Sequence, residues 1–101
     1  MAHDAPGYQL SPRARNDLEE IWLYTRDTWS MQQADDYIGA LAAACARLAD
    51  HSAIGQAVDI REGYLKYILG AHVIYFRVSA SGIVIIRILH QRMDTRRYFE
   101  P

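Results

Sequence analysis

The side chains with the greatest chemical capacity gather toward the C-terminus. Arg87 and His90 share the run Arg87-Ile88-Leu89-His90, and Arg92, Arg96, Arg97 and Tyr98 follow within a few residues. Arg77, Arg87 and His90, with Tyr98 as a late addition and Lys66 the sole lysine, make a sparse set of cations and proton-transfer groups. As a general base, His90 needs a substrate-facing position and a partner carboxylate or arginine. The competing reading is structural: its ring nitrogens bond loop backbone where the last strand ends. Strand alternation puts Arg87 and His90 on opposite faces, which weighs against their acting together.

The remaining chemistry is thinner. The histidines at 3, 51, 72 and 90 show no metal-ligand spacing with one another or with Cys45, and neither a metal nor another cofactor is expected. Cys45 falls on the apolar face of a helix, the setting of a buried and inert thiol. No Gly-rich phosphate loop or strand–serine elbow occurs. The pairs Glu19-Glu20 and Asp35-Asp36 read as solvated helix acids. The segment Arg92, Met93, Arg96, Arg97, Tyr98 and Phe99 has two readings. It is either a solvated turn whose aromatics pack on the sheet or a contact surface, since arginine and aromatic residues dominate binding hot spots.

Charge is divided along the chain. Residues 1–60 hold four arginines against nine acids, a balance of −5, whereas residues 61–101 hold seven cations against three acids, a balance of +4. That asymmetry suggests an acidic partner for the second half. A pI near 6.4 speaks against a dedicated nucleic-acid or ribosome binder, so an acidic protein segment is as good a candidate. At 101 residues, half of them apolar, the chain fits one folded domain over 1–101, with residues 1–7 a flexible end. One cysteine, no signal-peptide pattern and no long apolar run make cytoplasmic location the expectation, without membrane association.

The elements that must position these residues follow from periodicity. Tyr8-Gln9-Leu10 reads as a short strand. Ser11-Pro12 starts a helix, with serine as cap and proline at the first position. Its apolar stripe is Ala14, Leu18, Ile21, Trp22 and Thr25, with Asp17, Glu19 and Glu20 in the turns where the helix dipole favours acids. After a turn at 27–30, Ser30 caps a second helix to about Asp50, with an apolar face of Ala34, Tyr37, Ile38, Leu41, Ala42, Cys45, Leu48 and Ala49. Residues 51–59 read as loop. The period then changes to two for strands at 63–69, 72–79 and 83–90, the last two joined by Ala80-Ser81-Gly82. Asp94 is placed to cap a short final helix. The expected architecture is α+β: order β-α-α-β-β-β, an antiparallel sheet packed against a helical hairpin. Its uncovered face carries Ile83, Ile85 and Leu89, with Val73, Tyr75, Arg77 and Arg87. Such a face suits a partner.

Several strings taken together resemble one family. Tyr8-x-Leu10-Ser11-x-x-Ala14 and Asp17-Leu18-x-x-Ile21-Trp22-x-Tyr24 are similar to the opening of ParE-type toxins of the RelE/ParE superfamily. Gly55, Ile60-Arg61-Glu62-Gly63-Tyr64 and His72-Val73-Ile74-Tyr75-Phe76-Arg77-Val78 resemble its middle, and Ile86-Arg87-Ile88-Leu89-His90-Gln91-Arg92-Met93-Asp94 its ending. The likeness runs from residue 8 to about 97. It implies the toxin of a type II toxin–antitoxin module, held inactive in a hetero-oligomer by a ParD-like antitoxin and poisoning DNA gyrase by binding, without catalysis. DNA is then met only through the antitoxin. The RelE branch, cleaving messenger RNA on the ribosome with the same fold, is the alternative, and a non-toxic co-repressor is a third. On this reading Arg61, Tyr75, Arg77, Ile85 and Arg87 are expected to meet the antitoxin. The residues Arg92, Met93, Arg96, Arg97, Tyr98 and Phe99 are expected to meet the target.

Overall fold

The computed structural model describes residues 7–99, so most of the expected flexible end, residues 1–6, lies outside the described residues. Strand β1 (Tyr8–Leu10) leads through Ser11 into α1 (Pro12–Thr28) and α2 (Met31–Asp50). A 3-10 turn (Ser52–Ile54) precedes β2 (Gln56–Ala57), β3 (Tyr64–Leu69), β4 (His72–Ser79), β5 (Gly82–His90) and a short α3 (Thr95–Phe99). Both helices begin as their serines dictate. Ser11 Oγ accepts from Ala14 N–H and Ser30 Oγ from Gln33 N–H, each at 3.0 Å, filling donor positions that a helix start leaves open.

The sheet has five strands in the order β1-β5-β4-β3-β2. The helical hairpin covers one face, as expected. Two features refine the expected antiparallel sheet. Strand β1 runs parallel to β5, and Gln56–Ala57, read from sequence as loop, pairs with β3 at the opposite edge. The start of β5 is tight: Gly82 has φ +145°, and a Cβ there would overlap the Gly7 carbonyl, which accepts from Ile83 N–H at 2.8 Å. Only glycine fits that approach.

Between sheet and hairpin, Leu10, Ile74, Phe76, Ile83, Ile85 and Ile88 pack with Ala14, Ile21, Leu41, Ala44, Cys45 and Leu48. Full burial of each large side chain contributes roughly 1.5–3 kcal/mol. Burial pushes the Cys45 thiol up to about 12, so it stays protonated and inert. The expected face of α2 is corrected at one place, where Ala44 is buried and Ala42 exposed.

The expectation of an open second face is also corrected. Val73, Tyr75 and Leu89 form a second cluster there, covered by Val58, Ile60 and Phe99. Ile83 and Ile85 are not on that face at all; they belong to the helix-side core, Ile85 at 0% exposure. The cause is a β-bulge. Opposite β4, Phe76 pairs with Ile85 but Tyr75 with Arg87, leaving Ile86 as an extra residue. The insertion resets the alternation, so Ile83, Ile85 and Ile88 all reach the same core.

Candidate functional site

Strand β1 is short, and its last pairing with β5 is Leu10 with Ile85. From Ile86 onward β5 has no strand beside it on that edge, where unpaired backbone groups are costly if buried. Two side chains take over. Ser11 N–H donates to the Ile85 carbonyl at 2.9 Å, and Ser11 Oγ–H to the Ile86 carbonyl at 2.7 Å. One turn along α1, Asp17 Oδ2 accepts from Ile88 N–H at 2.9 Å.

Asp17 does more than cap the edge. Its two oxygens accept from Arg87 Nε at 2.9 Å and Nη2 at 2.8 Å, the two-pronged geometry that suits a guanidinium. The side chains are 13% (Arg87) and 7% (Asp17) exposed. The bond to Asp17 raises the Arg87 pKa further, against an opposing effect of burial. The other side of the guanidinium lies 5.4 Å from the centre of the Tyr98 ring, so the same arginine joins α1, β5 and α3.

Beside this pair runs a groove of about 900 Å³ between the hairpin and the end of β5. Ile21, Tyr24 and Thr25 of α1, Trp29 of the turn, and Asp36, Tyr37 and Ala40 of α2 form one wall. His72, Ile88 and His90 form the floor, with Met93 and Tyr98 closing one side. Tyr24 and Trp29 stand 69% and 68% exposed, an unusual cost for large aromatic surface on a solitary chain. Glu20 and Asp36 also line the groove, and neither has an ion-pair partner among the described residues.

His72 and His90 face one another across β4 and β5, their rings edge-to-face at 5.4 Å. Tyr37 hydroxyl and His72 Nδ1 are 2.7 Å apart. Burial lowers the His72 pKa, the neighbouring His90 lowers it further, and Asp17 opposes both. His90 Nδ1 accepts from Arg92 N–H at 3.1 Å, which ties the ring to the backbone where β5 ends. Its structural reading is therefore realised.

The sequence-expected residues separate into three places. Arg87, Met93 and Tyr98 line the groove. Arg87 and His90 keep the opposite strand faces expected of them, since the bulge precedes Arg87 and the pairing from Arg87 to His90 is regular; both nevertheless line the groove, Arg87 by reaching Asp17 on α1. Ile85 is in the core and presents no surface. Tyr75 is 5% exposed on the other face, where Phe99 meets it and Tyr64 edge-on at 5.0 and 5.7 Å. The guanidinium of Arg61 lies 5.7 Å above Tyr64. The structure thus brings Arg61, Tyr75 and Phe99 together, with Arg77 on the same face opposite Tyr64, while Arg96 and Arg97 are exposed on α3. Arg92 is exposed at the end of β5.

Sequence reading missed Asp17, taken as a dipole-favoured acid, and the groove residues Glu20, Asp36 and Trp29. For Asp17 a signal existed. It falls three residues after Ala14 and four before Ile21, on the buried stripe, where an acid requires a cation. Among the described residues no group of three or more metal-ligating side chains is assembled, and no helix is long and apolar enough to cross a membrane.

Comparison with known proteins places this arrangement. Residues 8–95 match the family model described as ParE toxin of type II toxin-antitoxin system, parDE. The chain is 46% identical over 92 residues to Toxin ParE1 of Mycobacterium tuberculosis, covering 89% of this chain and 94% of that one. It is 40% identical over 92 residues to Toxin ParE1 of Caulobacter vibrioides, covering 90% and 95%. Among solved structures, one titled as the chromosomal ParDE TA system from P. aeruginosa superposes with a TM-score of 0.75 at 18% identity, over 83% of this chain and 94% of that one. The edge-capping Asp17–Arg87 pair and the groove beside it therefore belong to a member of the ParE toxin family of type II toxin–antitoxin systems.

Proposed function

We propose that this chain inhibits bacterial growth in the cytoplasm by binding and poisoning DNA gyrase, without catalysis, and that a ParD-like antitoxin neutralises it by docking in the groove. Family membership supports the toxin role. The observation that carries the antitoxin reading is the groove itself, with Tyr24 and Trp29 exposed on its wall and Glu20 and Asp36 without an ion-pair partner among the described residues. Its occupant is an amphipathic antitoxin segment whose apolar residues cover the aromatics and whose lysine or arginine meets the two carboxylates. Of the other contacts expected of the antitoxin, Arg61, Tyr75 and Arg77 lie on the far side of the sheet and Ile85 is buried in the core; Arg87, Met93 and Tyr98 are its contacts here.

The non-catalytic reading draws on the same geometry. A phosphodiester-cleaving site needs free cations beside a free base. Arg87 is neutralised by Asp17, His90 Nδ1 is occupied by backbone, and the other acidic groups lining the groove are the carboxylates Glu20 and Asp36. Purified gyrase tests the target. Antitoxin-free protein is expected to make gyrase accumulate cleaved DNA and lose supercoiling, with reversal when antitoxin is added. No effect from folded protein would remove gyrase as the target, and ribosome-dependent cleavage of messenger RNA would be measured next.

A further inference from the structure

The sheet face turned away from the helices carries a second arrangement that the groove does not use. On β3 and β4, Tyr64 stands opposite Arg77 and Lys66 opposite Tyr75. Cross-strand partners share a face, and Tyr64 and Tyr75 both meet Phe99 on the outer side. Arg77 and Lys66 are therefore on that side too. The guanidinium of Arg61 lies over Tyr64. Tyr75 hydroxyl and Thr95 Oγ1, 3.0 Å apart, dock α3 on this side, and Arg96 and Arg97 are exposed on that helix between Thr95 and Phe99. None of these five cations forms an ion pair among the described residues.

We infer that this face binds the phosphate backbone of duplex DNA directly. This departs from the sequence-based expectation that DNA is met only through the antitoxin, and it stands whether or not gyrase is the target. Three observations select the ligand. First, four of the five cations are arginines, whose planar forks match phosphate oxygens. Second, the face lacks the exposed apolar anchor that a protein partner would need. Its aromatics are spent on one another, and the large exposed apolar residues include Tyr24, Trp29 and Met93 along the groove, with Ile68 the exception here. Interfaces with nucleic acid are more polar and more positive, and the five cations here outnumber the exposed acids of the adjoining segments, Asp59, Glu62 and Asp94. Third, no ring stands free to stack an unpaired base, because Tyr64, Tyr75 and Phe99 pack together and Arg61 covers Tyr64. Single strands are held largely by such stacking, whereas contacts to a duplex backbone require only cations in register.

The test is fluorescence anisotropy of antitoxin-free, full-length protein with a labelled duplex of about 20 base pairs, titrated from about 50 to 200 mM salt. Binding is expected, with log K falling against log salt at a slope between about −3 and −5, set by the number of phosphates neutralised. R77A/R96A/R97A is expected to weaken binding at least tenfold at the lowest salt and to flatten the slope by two to three. R77K/R96K/R97K, which keeps the charge, is expected to retain most of the affinity and excludes misfolding as the cause. E20Q/D36N, altered in the groove alone, is expected to bind DNA unchanged. Absence of duplex binding at the lowest salt would overturn the inference. So would equal binding by the alanine variant, or a preference for polyglutamate or single-stranded DNA over the duplex.

Discussion

The two sides of the central sheet differ in what they leave unfinished. On the helix side, the groove is apolar and acidic: aromatic surface lies open, and Glu20 and Asp36 line it without an ion-pair partner among the described residues. On the outer side, the apolar surface is closed by Val58, Ile60 and Phe99, and what remains open is positive charge. A partner drawn to the first gains affinity from desolvated anchors, whereas a partner drawn to the second gains it from charge and loses it in salt. One chain thus offers two surfaces of unlike chemistry. They meet at a single residue, Arg87, which is bonded to Asp17 beside the groove and lies against Tyr98 of α3.

Breaking that joint is expected to have the largest effect. Asp17→Ala leaves a mostly buried guanidinium without its counter-charge and Ile88 N–H without an acceptor. Losing one partner of a buried pair costs about 3–5 kcal/mol, which in a domain of this size lowers Tm by roughly 12 °C or more. Asp17→Asn keeps an acceptor for Ile88 and should lose less. Urea unfolding of both variants measures this, and an Asp17→Ala protein as stable as the parent would show that the strand edge does not depend on the pair.

Removing the groove's aromatic anchor comes next. Trp29→Ala deletes exposed surface, so folding stability should change by less than about 0.5 kcal/mol. Loss of an aromatic anchor should cost antitoxin binding about 2 kcal/mol, roughly thirtyfold in Kd. Calorimetric titration with the antitoxin reads the affinity. An unchanged Kd would move the antitoxin off this wall. Charge reversal by Glu20→Lys with Asp36→Lys sharpens the contrast between faces: antitoxin association is expected to slow by about tenfold, most visibly at low salt.

Much of this was legible before any coordinates. Ser11-Pro12 and Ser30 announced both helices because capping chemistry is local, and the strands at 64–69 and 72–79 showed their period of two. The end of β5 was not legible, for a definite reason. A bulge adds one residue, and nothing in Ile85-Ile86-Arg87-Ile88 marks which residue is extra, so alternation read across it assigns half the strand to the wrong face. That error placed Ile83 and Ile85 on the far face beside Leu89. The cover of that face was more readable: Val58 and Ile60 stand two apart, one inside the segment 51–59 read as loop and one just after it. The groove had no sequence signature of its own, since its walls come from α1, α2, β5 and α3, which only the tertiary fold brings together.

The smallest expected effect tests the groove floor through pH. In the folded protein His72 has a pKa below its ordinary value of 6.5, chiefly because burial disfavours the charged ring. The unfolded chain then binds more protons than the folded one as pH drops through that window, so stability must decline with it. The contribution is fully present above about pH 6.5 and is lost as pH falls through the lowered folded value. The charges facing the ring are mixed, since His90 adds to the effect and Asp17 opposes it, while Tyr37 holds Nδ1. His72→Gln removes the titrating ring while keeping a polar partner for Tyr37. Urea midpoints from pH 7.5 to 5.5 should therefore fall less steeply in the variant than in the parent. If the two pH profiles run parallel, the acid sensitivity belongs to the acidic hairpin and not to the floor of the groove.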